Sequence, residues 1–186
     1  DFTTGTELTK GAELINLESY TQLSLRKYYY ALDDEDRTNQ INLNRAKFLL
    51  YRCEAESADK VNAAVAVNAL GANATVAQIQ AELATYMGEG GPVSVYDYVY
   101  ETGTAPSKGD GWLVTSPLPS AGYVYAFLEI EAPSGFKDPT LAHGWTGFSD
   151  SASFKVENIP VEGPGIIRYV QVELDKVARA YDGKGK

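Results

Sequence analysis

One cysteine, one histidine and one methionine stand among 186 residues, and basic side chains are outnumbered by acidic ones, 16 to 25. The lone Cys53 excludes an internal disulfide framework. It follows the apolar run Phe48-Leu49-Leu50-Tyr51 with no His or Asp pattern beside it, so it reads as an unreactive strand-end thiol. The net charge of −9 disfavours nucleic acid or an anionic membrane surface as the main partner. No stretch approaches the roughly 20 apolar residues of a bilayer span, so no membrane insertion is expected. His143, in Ala-His-Gly-Trp, reads as a loop residue rather than a catalytic base. Asp33, Asp34 and Asp36 fit no calcium-loop spacing and read as a solvated acidic turn. With no nucleophile–base pair and no metal cluster, no cofactor or metal is expected, and an enzyme acting on an external substrate is the least supported class. Asp1 is not a Met, and neither a secretory apolar region nor a sorting tail is visible, so the chain reads as a processed or excised piece whose anchor lies elsewhere.

What is present is the composition of an ordinary globular chain, 44% hydrophobic and 22% charged, long enough for one medium domain with extra segments. Residues 1–19 read as a turn-rich N-terminal extension. Strand signals run over 20–30, around Ala46, Phe48 and Leu50, over 93–100, 112–115, 123–130 and 153–158, punctuated by Pro and Gly clusters. At about 57–88 the pattern turns helical. An Ala-rich stretch stops at Gly71, and Thr75-Val-Ala-Gln78 has capping-box spacing before Val76, Ile79, Leu83 and Tyr86 recur at helical intervals. This reads as a helical hairpin inserted between strands, too short to hold its own core. Residues 161–186 read as a linker and an extra strand in which Val170, Val172 and Leu174 alternate with Gln171, Glu173 and Asp175. Many short strands with turn punctuation predict a mainly β chain, an Ig-like or prealbumin-like β-sandwich over 20–160.

Three polar residues occupy positions where apolar ones are expected. Lys27 continues the face of Leu23 and Leu25, Asn158 continues that of Phe154 and Val156, and Glu129 lies inside the apolar run 123–130. A buried lone charge is costly and comes with partners. Parity alone also allows a snorkelling lysine, a glutamate paired with it and an asparagine capping a turn, and by itself favours that ordinary reading. Glu131 is a competing carboxylate, whereas Asn42 and Asn44 sit in the wrong strand.

The stretch Tyr123-Val-Tyr-Ala-Phe-Leu-Glu129-Ile-Glu-Ala-Pro-Ser-Gly-Phe136 resembles the signature of collagen-adhesin B-type (CnaB-like) domains, an aromatic strand leading into Glu-x-x-Ala-Pro-x-Gly and an aromatic residue. Leu43-Asn-Arg-Ala46-Lys-Phe48-Leu-Leu50-Tyr, Asp110-Gly-Trp-Leu and Val156-Glu-Asn158-Ile-Pro160 resemble further strands of that family in the same order, over about residues 20–160. The resemblance implies an extracellular module of a Gram-positive pilus or adhesin at the bacterial cell surface. It further implies an autocatalytic isopeptide cross-link between Lys27 and Asn158 with Glu129 as proton shuttle. Such a chain is its own single-turnover substrate and not an enzyme in the usual sense.

The expected partners are neighbouring pilin or adhesin modules, joined through the 166–186 strand by β-augmentation within or between chains. The alternative is a ligand-binding adhesin module that meets a host ligand through the helical insertion and the Tyr96, Tyr98, Tyr100 strand face, although packing is the commoner use of such tyrosines. Asn73-Ala-Thr75 is a glycosylation sequon by pattern only.

Overall fold

The computed structural model describes residues 19–103 and 105–162. The expected 166–177 strand and nearly all of the N-terminal extension lie outside the described residues. Among those described, the strands are β1 (Tyr20–Thr21), β2 (Ser24–Tyr29), β3 (Ile41–Asn42), β4 (Lys47–Glu54), β5 (Val93–Glu101), β6 (Trp112–Val114), β7 (Leu118–Pro119), β8 (Tyr123–Glu131) and β9 (Ser153–Asn158). The helices are α1 (Ala58–Ala69), α2 (Val76–Ala84) and the single turn α3 (Leu141–Gly144).

Two sheets face each other. In the first, β2 is central, antiparallel to β3 and β6 and parallel to β9. The second runs β5-β4-β8, all antiparallel. Leu25, Phe154 and Val156 from one sheet meet Phe48, Leu50 and Phe127 from the other in a shared core, with Phe127 edge-on to both Phe48 and Phe154. The chain is a mainly β sandwich, as the strand pattern predicts.

The expected first strand divides in two. Thr115 takes over the backbone of Leu23, its Oγ1 accepting the Leu23 N–H at 3.0 Å while its own N–H donates to the Leu23 carbonyl. The chain bends there, and the preceding β1 pairs instead with β7, where only turn punctuation was expected. A side-chain hydroxyl competing for backbone groups leaves no hydrophobic-pattern signal.

The helical insertion forms with the caps its sequence calls for. Ser57 caps α1, Gly71 leaves it at φ +87°, and Thr75 with Gln78 closes the capping box on α2. Ala63, Val67, Ile79 and Leu83 face inward onto Tyr51, Cys53, Val93, Val124 and Leu128, the outer face of the β5-β4-β8 sheet. At β8 that sheet is therefore covered on both faces, which explains why its residues 124–129 are all buried. Because Ile79 is wholly buried there, Ile79→Ala should destabilise the chain by about 2–5 kcal/mol. Val61→Ala, on the exposed side of α1, should shift stability by no more than about 0.5 kcal/mol; chemical denaturation of both variants measures the difference.

Candidate functional site

Lys27, Glu129 and Asn158 meet in the sandwich interior. Lys27 and Glu129 have no solvent exposure and Asn158 has 2%. Lys27 and Asn158 come from the parallel pair β2–β9, where Lys27 lies opposite Val156 and Tyr29 opposite Asn158. The two side chains thus share a face two residues out of register. Glu129 projects from β8 in the facing sheet, opposite Phe48. The Lys27 Nζ donates to Glu129 Oε2, and the Asn158 Nδ2 donates to Glu129 Oε1 at 3.0 Å. One carboxylate therefore holds an amine and an amide side by side, with the Phe48 ring 5.6 Å from the Lys27 nitrogen.

Burial decides the electrostatics. It lowers the Lys27 ammonium from its usual 10.5 to about 8, although Glu129 acts in the opposite direction. Burial likewise raises the Glu129 carboxyl above the ordinary glutamate range, against the pull of Lys27 and the Asn158 hydrogen bond. Both shifts favour neutral forms, a free amine beside a carboxylic acid, which is the pair needed for attack on an amide.

Local structure fixes each member. Lys27 donates its N–H to the Gly111 carbonyl at 2.7 Å and accepts the Leu43 N–H at 2.9 Å. Gly111 has φ +75°, and a Cβ there would lie 2.8 Å from the Lys27 carbonyl oxygen, so close approach demands the glycine of the Asp-Gly dipeptide. Asn44 positions that glycine by accepting its N–H at 2.6 Å and donating to Asp110 at 3.1 Å. The Ala-Pro-Ser-Gly-Phe stretch after β8 docks on the end of β9. Lys137 N–H donates to the Ile159 carbonyl, Val161 N–H to Gly135, and Phe136 stacks edge-on against Tyr29 at 5.0 Å. This anchors the backbone beside Asn158.

A register shift separates the two competing carboxylates. Lys47 lies opposite Glu131 but Phe48 opposite Glu129, so Ile130 is an extra residue and the strand bulges. The bulge reverses side-chain parity, turning Glu131 outward to bond Lys47 at 2.9 Å while Glu129 stays inside. Asn42 accepts from Arg26 on the surface, and neither it nor Asn44 makes a hydrogen bond to Glu129.

Other expected features serve structure. Burial pushes the Cys53 thiol up to about 11, far from thiolate chemistry at neutral pH. Asp34 caps its own turn, accepting from the Thr38 and Asn39 amides. Tyr96 and Tyr100 pack on the core, while Tyr98 is 62% exposed. Together with Val114, Pro117 and Pro119 they line a cleft of about 600 Å³. Sequence reasoning missed the turn α3, whose Gly144 packs against Glu129; four residues without a side-chain cap leave no periodic signal.

No family model matches this chain. No curated protein matches it either. Among solved structures it is similar to the shaft pilin SpaA of Lactobacillus rhamnosus GG, at 15% identity and TM-score 0.40, over 77% of this chain and 52% of that one. It is also similar to GBS52, the minor pilin of Streptococcus agalactiae, at 16% identity and TM-score 0.36, over 82% and 49%. The chain spans about half the length of these proteins.

The lowered Lys27 value has a consequence for stability. In Asn158→Ala, where no amide remains beside the amine, the unfolded chain binds more protons at Lys27 than the folded chain between about pH 8 and 10. Stability should therefore rise with pH across that window. Urea denaturation at several pH values, with Lys27→Met/Asn158→Ala as the reference lacking this rise, measures it.

Proposed function

We propose that this chain is a load-bearing module of a bacterial surface fibre, a pilin or adhesin stalk, closed by an intramolecular Lys27–Asn158 isopeptide bond. The observation that carries the proposal is the dry contact of an amine and an amide from two parallel strands on one carboxyl of the facing sheet. Proton transfer from Lys27 to Glu129 leaves a neutral amine, which attacks the Asn158 Cγ. As the Nζ–Cγ bond forms, the amine gives up a proton and Glu129 delivers one to Nδ2. The Cγ–Nδ2 bond then breaks and ammonia leaves, with Glu129 the shuttle at both steps. Orientation by the fold supplies effective molarities of about 10⁵–10⁸ M, so no cofactor is required.

Topology supports the mechanical role. β2 lies near the start of the sandwich and β9 closes it, and they are direct neighbours. A bond between them carries tension across the pair without unzipping the strands between. Closing a loop of about 130 residues also stabilises by roughly 5 kcal/mol on the loop-entropy account of disulfides. The expected outcome is an intact mass short by one ammonia in the native chain, with the full mass restored in Lys27→Ala, Asn158→Ala and Glu129→Ala. A native chain of unmodified mass would refute the bond.

A ligand-binding adhesin module is the second reading, favoured by the tyrosine-lined cleft and by Val61 and Val65, both exposed on the outer side of α1. Under it the isolated chain binds host protein or glycan on an array, and Tyr98→Ala reduces binding at least about tenfold, as expected of an aromatic hot spot. Inertness on the array leaves the fibre role alone.

A further inference from the structure

The connection between β8 and β9 covers the site as well as joining its strands. Thr146 is tied to Phe127, its N–H donating to the Phe127 carbonyl at 3.0 Å and its Oγ1 accepting the Phe127 N–H at 2.8 Å. Trp145 bridges Leu128, and α3 packs against both β8 and β9. Gly144 is buried over Glu129. A Cβ on it would sit 3.5 Å from the Glu129 Cβ and only 2.9 Å from the Pro139 Cβ. Residues 139–145 thus form a close-fitting cap on the carboxylate's strand, made thin by a glycine.

Trp145 and Thr146 tie the C-terminal end of this cap to β8, but its N-terminal end has no helix cap of its own. It contains a single helical turn, and Thr140 ahead of it makes no side-chain capping hydrogen bond. The first amides of a helix need acceptors from elsewhere. Here they come from the helical insertion: Leu141 N–H donates to the Ala74 carbonyl at 2.9 Å and Ala142 N–H to the Ala72 carbonyl at 3.0 Å. Thr75 and Thr140 add a β-bridge alongside. The loop between α1 and α2 therefore substitutes for the missing cap.

We propose that the helical insertion is a brace for the Lys27–Glu129–Asn158 site, its Ala72 and Ala74 carbonyls holding residues 139–145 over Glu129 so that water stays out. The proposal rests on the cross-linking function above and gives the insertion a part in it. The physical link is desolvation. A dry carboxyl and amine favour their neutral forms, and water admitted past a loosened cap restores the unreactive ion pair. Leu141 and Ala142 are positioning residues; they act through the cap and not on the reacting atoms.

Proline at position 141 tests the brace directly. Thr140 is extended, at φ −128° and ψ 176°, which a following proline tolerates, and the first helical position tolerates proline itself. Leu141→Pro deletes the N–H donor; Leu141→Ala loses the same side chain but keeps the donor. An amide-to-ester replacement at Leu141 deletes only the N–H and serves if the proline chain does not fold. In freshly translated chains, intact mass against time should show ammonia loss about five- to tenfold slower in Leu141→Pro than in Leu141→Ala, the scale of one buried hydrogen bond.

A second readout needs no bond. In the Asn158→Ala background, carbon NMR of the Glu129 carboxyl should show a midpoint that falls toward the ordinary glutamate range with Leu141→Pro and stays put with Leu141→Ala. The charged group bearing on that midpoint is Lys27 from β2, on which Glu157 acts in turn. Equal midpoints in the two Leu141 variants overturn the brace, whatever the rates. A native chain that never loses ammonia overturns the cross-linking function instead, and the midpoints alone then decide the brace.

Discussion

Lys27 and Glu129 face each other across the sandwich with no exposure to water, and much of the surrounding architecture keeps this pair and Asn158 in one dry volume. A buried ion pair is poor value as a stabiliser, because desolvation offsets most of the attraction between the charges. The core around it is otherwise built of Leu, Phe and Val, and the proposed cross-link gives the pair a role that its net contribution to stability does not. Both shifts act in that sense, each charge being weakened toward its neutral form by the lack of water.

The constraint propagates outward in three directions. Toward β2 it requires Gly111, since no side chain fits between that turn and the Lys27 carbonyl. Toward β9 it requires the Ala-Pro-Ser-Gly-Phe stretch, whose backbone grips residues 159–161 and so fixes Asn158. Toward β8 it requires a bulge at Ile130, without which Glu131 would share the inner face with Glu129. The outer helices extend the same logic. By covering the second face of β4 and β8 they help bury residues 124–129, and under the brace proposal they also hold the cap over the carboxylate of Glu129.

Period-2 parity located Lys27 and Asn158 because both lie in strands whose inner face is otherwise apolar, and the helical pair was legible from Thr75, Gln78 and Gly71. Parity failed where the backbone departs from the regular ladder. It gave no means of choosing between Glu129 and Glu131, which two-residue spacing puts on one face, and a one-residue bulge is invisible to composition. It also missed the bend at Leu23, where a threonine hydroxyl 92 residues away takes the backbone hydrogen bond.

The sequence by itself determined the mainly β class, the inserted helices and the identity of three polar residues on apolar faces, since each is a local pattern of side chains along the chain. Only the tertiary structure decided that those three residues meet. The parallel pairing of β2 with β9, the facing of β8 and the closure by residues 139–145 are contacts between segments far apart in sequence. Their geometry depends on bulges, glycine turns and backbone hydrogen bonds. Those terms act between backbones and carry no periodic signature in the side chains, so they become readable only once the sheets have stacked.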